Sequence, residues 1–358
     1  MNLSPEIKQQ LAEQKKQCIF CKIISKEMDS QIVFEDKTTL AALDIRPAVK
    51  GHTLFMLKEH YPIMPYLPPE EFHHLFGLIP QLSNSIKSAM LTTGINVFIA
   101  NGGAAGQQSP HFLIHLLPRE EQDGFFNFLF QRTEQKLSAV QTKFLIDHLL
   151  PLRSHFARPP APGGPAAIPA PAIKNPLFLR SVYENSTLLY EDGQCLVVLP
   201  NRAVVAGHLE IYSKEEEKEI ARLSAESSAH LFSVASAAAV ALFEGLKAQG
   251  TNILVQSGTA DDNPQGQLCL HILPRTAGDN LQDLVWKPKD PKYNLGDVAK
   301  KIKDQTWKIK EEKKEEVKMI AVPKTIAPQI IRIEENKLKN TVDATKAEIL
   351  AAIARIRN

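Results

Sequence analysis

The sequence predicts an α+β protein made of two copies of one antiparallel-sheet domain, each with one long helix, followed by a charged helical tail. Three observations predict it. The chain repeats itself without a gap at a spacing of 156 residues, as from Gly51 to Gly207. Each repeat has short apolar runs, then one long helical period, then two more short runs. A proline-rich tether lies between the repeats.

The repeat is dense. Glu35-Asp36 falls on Glu191-Asp192, Gly51-His52 on Gly207-His208, and His74-Leu75-Phe76 on His230-Leu231-Phe232. Asn96 falls on Asn252, and His115, Leu117, Pro118 and Arg119 fall on His271, Leu273, Pro274 and Arg275. Chance supplies isolated matches, not one register through a whole domain.

The elements follow in order. Residues 1–17 read as a polar helix without the apolar core of a signal peptide. Residues 18–155 form the first domain. Within it, Gln31–Phe34, Leu40–Leu43 and His52–Leu57 read as strands. Pro69–Met90 reads as a helix, apolar at Phe72, Leu75, Phe76, Ile79, Leu82 and Ile86. Asn96–Ala100 and His111–Leu117 read as two closing strands around the turn NGGAAGQ. Residues 156–174 are the linker, with RPPAPGGPAAIPAPA at its centre, and 175–300 are the second domain. Residues 301–358 are the tail, mixing both charge signs at helical spacing. Its Thr341–Arg357 segment reads either as an amphipathic docking helix for a protein partner or as a solvent-exposed helix.

Composition sets the class. At 358 residues the chain has room for two or three domains with cores of their own. The net charge of +2 argues neither for nor against nucleic acid, and only the basic tail, Arg119 and Arg275 favour it. No stretch reads as the roughly 20 apolar residues of a membrane helix. Four cysteines are too few for a disulfide framework, so Cys18-x-x-Cys21 points to a metal or redox role. The expectation is a cytoplasmic protein.

The chemistry concentrates in His111-Phe112-Leu113-Ile114-His115-Leu116-Leu117-Pro118-Arg119. In a strand, residues 111, 113 and 115 share one surface while 112, 114 and 116 enter the core. With CIFCKII, ALDIRPAVKGHTLFMLKEH and NGGAAGQ, this run closely resembles the histidine-triad family over residues 18–119. The second copy, 175–275, follows through the repeat register.

The resemblance implies several things. Domains of this family pair edge to edge, so a duplicated chain is expected to form an intramolecular pseudo-dimer. The family's middle histidine attacks the α-phosphate of a nucleotide, which requires a neutral imidazole nitrogen. Here that position is Leu113, and in the second copy Cys269, leaving His115 and His271 as residual triad members. Cys269 reads either as a small buried hydrophobe or as a substitute nucleophile. No catalytic residue is expected, and the protein is expected to be a pseudoenzyme that binds a purine nucleotide or serves as a scaffold. The alternative is a nucleotide hydrolase or nucleotidyl transferase working through Cys269 or a water.

Family positions for the nucleotide are kept in the first copy as Asp44, His52, Gly106, Gln107 and His115. In the second, Pro200 replaces the ribose-binding aspartate. The family's asparagine before the turn is Ala100 in the first copy and Gln256 in the second. The family also implies one structural zinc, held by Cys18, Cys21, His60 and His111 as a closed tetrahedral set. A redox or simply reduced thiol pair is the other reading of Cys18 and Cys21. The second copy has Glu216 and Gln267 at the histidine positions and cannot repeat the set. His73, His148 and His155 sit in no motif and receive no role.

Overall fold

The computed structural model describes residues 12–156 and 176–309. The centre of the linker, most of the tail and the Thr341–Arg357 segment lie outside the described residues.

The first copy opens with helix α1 (Ile19–Ile24) and strands β1 (Ile32–Glu35), β2 (Thr39–Leu43) and β3 (Thr53–Leu57). Helix α2 (Pro69–Met90) follows. Pro69 stands at its first position, where a missing N–H costs nothing, and Glu70 and Glu71 favour its positive end. Strands β4 (Gly94–Asn101) and β5 (Ile114–Arg119) complete the copy. The last strand begins later than expected. At His111–Leu113 the chain does not join the ladder, because the Phe112 N–H donates to the Tyr61 carbonyl (2.6 Å) instead. Helix α3 (Ala139–Leu149) comes after, capped by Ser138 and Gln141 in a reciprocal box.

The second copy repeats the series. Its strands are β6 (Ser186–Glu191), β7 (Cys195–Pro200), β8 (Leu209–Ser213), β9 (Gly250–Gln256) and β10 (Cys269–Arg275). Its helices are α4 (Ala225–Leu246) and α5 (Leu295–Thr306). Asn294 caps α5 and Ser138 caps α3, and the two caps stand at the same place in the repeat.

All ten strands form one sheet, in the order β1-β2-β3-β5-β4-β9-β10-β8-β7-β6. The expected edge-to-edge pair therefore exists within the chain. Strands β4 and β9 join the copies antiparallel, Thr251 opposite Asn101 through Val255 opposite Val97. Phe98 pairs with Leu254, its own repeat equivalent (254 − 98 = 156), so a pseudo-twofold axis passes between them. Fully buried glycine positions serve this seam. A Cβ on Gly250 would lie 2.7 Å from the Asn101 carbonyl oxygen and 3.0 Å from the Ala105 nitrogen. Gly250→Ala must shift backbone, and we expect a loss of about 2 kcal/mol in chemical denaturation.

Helices α2 and α4 cover one face, and α1 packs on the other against Leu40, Ala42, Leu54 and Met56. The buried stripe of α2 is Leu75, Phe76, Ile79, Leu82 and Ile86, as the periodicity predicts, with Phe72 packed at its edge. Phe76 stacks on Phe232 of α4, its repeat equivalent, with ring centroids 4.5 Å apart. Helix α4 has the length and mean hydropathy, 1.5, of a membrane span, contrary to the expectation that no segment would. Its apolarity is explained by its neighbours, since it packs on α2, on α3 and on the sheet.

The C-terminal helices are exchanged. Helix α3 of the first copy packs on α4 of the second, and α5 of the second packs on α2 and β1 of the first. Gly245 leaves room for the Phe144 ring at the first of these contacts. The segments leading to the helices cross as well, and they reach the functional sites.

Candidate metal centre and nucleotide site

Three places bring Cys18, Cys21, His60 and His111 together: the start of α1, the end of the β3 loop, and the approach to β5. Cys18 Sγ lies 3.6 Å from His111 Nδ1, and Cys21 Sγ lies 3.3 Å from His60 Nδ1 and 3.6 Å from His111 Nδ1. All four ligand atoms lie within 4.8 Å of one another. The His111 Nε2–H donates to the Leu57 carbonyl (2.9 Å), which fixes the tautomer with Nδ1 free toward the thiols. Burial lowers the pKa of His60 and brings that of His111 down to about 4, so both rings are neutral donors. Burial and the neighbouring Cys18 push the Cys21 thiol up to about 12, so two thiolates here require a compensating cation. The donors, the His111 tautomer and the spacing fit a tetrahedral metal ion.

The second site lies along β3 and β5. The Ala48 N–H donates to His52 Nδ1 (3.3 Å), so the proton sits on Nε2, which donates to His115 Nδ1 (3.0 Å). That leaves the proton of His115 on Nε2. Burial brings both imidazoles down to about 3, and for His115 the adjacent His52 adds to it. The Asp44 carboxylate stands 3.5 Å from His52 Nδ1 with its side chain 19% exposed. Its other oxygen accepts from the Arg46 N–H (2.8 Å).

The remaining predicted positions divide. Gly106 adopts a left-handed φ of +84°, which the turn requires. Gln107 is occupied: its Oε1 accepts from the Gly102 N–H (2.8 Å), and its Nε2 donates to the Pro62 (2.6 Å) and Ser109 (2.8 Å) carbonyls. It braces the turn from within. Leu113 sits at the nucleophile position and packs against Leu40, Ala42, Leu54 and Met56. It supplies no lone pair.

The exchanged segments supply residues that the sequence analysis did not single out. Trp286 of the second copy lies against His52 (centroids 5.1 Å) and His115 (5.2 Å), and Val285 packs on Gly106. Reciprocally, Phe130 of the first copy lies against His208 (6.3 Å) and His271 (5.5 Å). Phe130 and Trp286 are repeat equivalents (286 − 130 = 156), and that aromatic match was the signal in the sequence.

The second copy keeps the imidazole relay but closes it. The Val204 N–H donates to His208 Nδ1 (3.4 Å), His208 Nε2–H to His271 Nδ1 (3.1 Å), and His271 Nε2–H to Gln256 Oε1 (3.0 Å). In the first copy Ala100 stands at the Gln256 position and offers no acceptor, so the His115 Nε2–H lacks that partner. Cys269 Sγ lies 3.9 Å from His271 Nδ1, which already accepts from His208. Burial, and then the Glu210 charge, push its thiol well above the ordinary range.

Two tandem copies with this sheet, relay and degenerate triad define a histidine-triad protein. The chain belongs to the HIT family, whose HIT domain model matches residues 25–122 and 183–278. It is 40% identical over 110 residues to an uncharacterised HIT-like protein of Borreliella burgdorferi, covering 30% of this chain and 79% of that protein. It is 39% identical over 106 residues to an adenylylsulfatase of Arabidopsis thaliana, covering 30% of this chain and just over half, 54%, of that enzyme. Among solved structures, a HIT family member from Bacillus subtilis is 38% identical, with a TM-score of 0.29, covering 30% of this chain and 77% of that one. A zinc-bound histidine-triad protein from Mycobacterium smegmatis is 31% identical, with a TM-score of 0.30, covering 31% and 81%.

Proposed function

We propose that the protein is a nucleotide-binding pseudoenzyme: a tandem pseudo-dimer that takes one purine nucleotide in its first copy and carries one structural zinc beside it. The observation that carries the reading is the difference between the two relays. In the first copy a neutral imidazole relay ends on a His115 Nε2–H that lacks the glutamine acceptor of the second copy and lies beside the Trp286 ring, suited to a phosphate oxygen, and Asp44 is placed to accept from ribose hydroxyls. Neutral donors bind anions without needing a proton from solvent. Nothing on that surface can attack phosphorus, because Leu113 holds the place of the nucleophile.

Cys18, Cys21, His60 and His111 would hold the zinc. A closed set of two thiolates and two imidazoles gives the ion a stapling role and leaves no position for substrate. The free thiols suit a reducing compartment such as the cytoplasm. Catalysis through Cys269 finds little support, since its thiol is buried and its neighbouring imidazole nitrogen is already used.

Calorimetry with AMP tests the binding. Asp44→Ala is expected to weaken binding roughly tenfold through loss of charge-assisted hydrogen bonds, and equal heats for both proteins would overturn the assignment. With both histidines titrating near 3, wild-type affinity should show no imidazole step between about pH 5 and 8. Hydrolysis of adenosine phosphoramidate should not exceed that of a His115→Ala, Cys269→Ala double variant. Faster turnover by the wild type would refute the pseudoenzyme reading.

A further inference from the structure

We infer that the triad site of the second copy has become a socket for the chain itself, whose ligand is the Phe130–Glu134 segment of the first copy, latched by Arg132 on Glu210. The segment lies along the site over its whole length. The Phe130 ring covers His208 and His271. Arg132 Nη1 meets Glu210 Oε1 at 2.5 Å, with the carboxylate 4% exposed and its second oxygen accepting from the Tyr212 hydroxyl (2.8 Å). Arg202 Nη2 donates to the Arg132 carbonyl (3.1 Å), and Thr133 and Glu134 pair with Ala203 and Arg202 as a two-residue ribbon.

The first copy is the internal control. Its residues at the Glu210, Tyr212 and Arg132 positions are Leu54, Met56 and Pro288, each 156 positions away, so no ion pair forms over its site. The turn has changed in the same sense. Where the first copy has Gly106, the second has Asp262, buried and bonded to Arg119 Nη1 (2.9 Å) and Asn96 Nδ2 (2.7 Å). The site holds two buried carboxylates and a filled relay. It repels an anion and receives a cation, and the cation it receives is a side chain of its partner copy. What reads in the sequence as scattered decay is one coordinated change from ligand site to interdomain latch.

Hydrogen exchange on the full-length chain tests this, comparing wild type, Arg132→Met, Glu210→Gln and the double variant. In the wild type, residues 130–134 should be protected. Arg132→Met should speed their exchange on the order of tenfold or more, because it removes a charge-assisted bond and strands a buried carboxylate. Residues 281–286 over the first copy should not change. Adding Glu210→Gln to Arg132→Met should restore part of the protection, because the stranded charge is gone. Glu210→Gln alone keeps the side-chain shape and supplies the test if Arg132→Met does not fold. Exchange at 130–134 within twofold of wild type in both single variants, or single effects that simply add in the double, would overturn the latch.

Discussion

Cys18→Ser protein is expected to carry no zinc where the wild type carries about one per chain, and to lose at least about 3 kcal/mol of stability. The size follows from what the ligands join. Cys18 and Cys21 tie α1 to the sheet, His60 closes the loop after β3, and His111 anchors the approach to β5. Metal binding free energy is folding free energy wherever the ligands come together only in the folded state. The first copy has a core of its own, so the loss is smaller than the roughly 10–16 kcal/mol of an isolated zinc peptide. Metal analysis with thermal unfolding checks it. A Cys18→Ser chain that keeps its zinc, or wild-type protein whose stability ignores a chelator, would contradict the ligand set.

Arg119→Met is expected to cost about 3–5 kcal/mol, the penalty for leaving a buried charge without its partner. Both Arg119 and Asp262 have fully buried side chains, and the pair crosses the seam between copies at 2.9 Å. Arg119 also bonds Asp123 at 2.5 Å and the Phe125 carbonyl at 2.7 Å, so its removal strands two carboxylates and a carbonyl. The second copy offers a comparison. Arg275 meets Asp279 and the neutral Asn252 side chain, so Arg275→Met strands one carboxylate rather than two. Its cost should be visibly smaller. Urea unfolding of both variants, with Asp262→Asn added to Arg119→Met as a rescue, separates the terms. Equal costs for Arg119→Met and Arg275→Met would contradict the added penalty assigned to the buried seam pair.

The architecture was legible because duplication writes it twice. The helix stripe follows from local periodicity and the two-copy layout from the repeat, the edge-to-edge pairing was implied by the family resemblance, and the closing strand begins three residues later than the alternation about Leu113 suggested. The metal candidates Cys18, Cys21, His60 and His111 were implied by the family resemblance, whereas Cys18-x-x-Cys21 alone left metal and redox readings open. The exchanged segments were not. Phe130 and Trp286 lie in irregular chain, where no periodicity marks a buried residue, and their contacts are long-range in sequence. Only their coincidence in the repeat register hinted at a shared role. Substitutions in the second copy show their roles only through partners distant in sequence. Seen singly, Glu210, Gln256 and Asp262 depart from a nucleotide site, and only their partners Arg132, His271 and Arg119 reveal what each one compensates. The backbone bonds that Gln107 makes likewise could not be read from the motif that marks it as a nucleotide position.

On the proposed reading one copy binds nucleotide and the other is filled by the chain itself. Native mass spectrometry of the intact chain with added AMP counts both ligands at once. The expected result is one zinc and one nucleotide per chain, the nucleotide lost in Asp44→Ala and the zinc retained there. Two nucleotides per chain, or one that persists undiminished in Asp44→Ala, would contradict it.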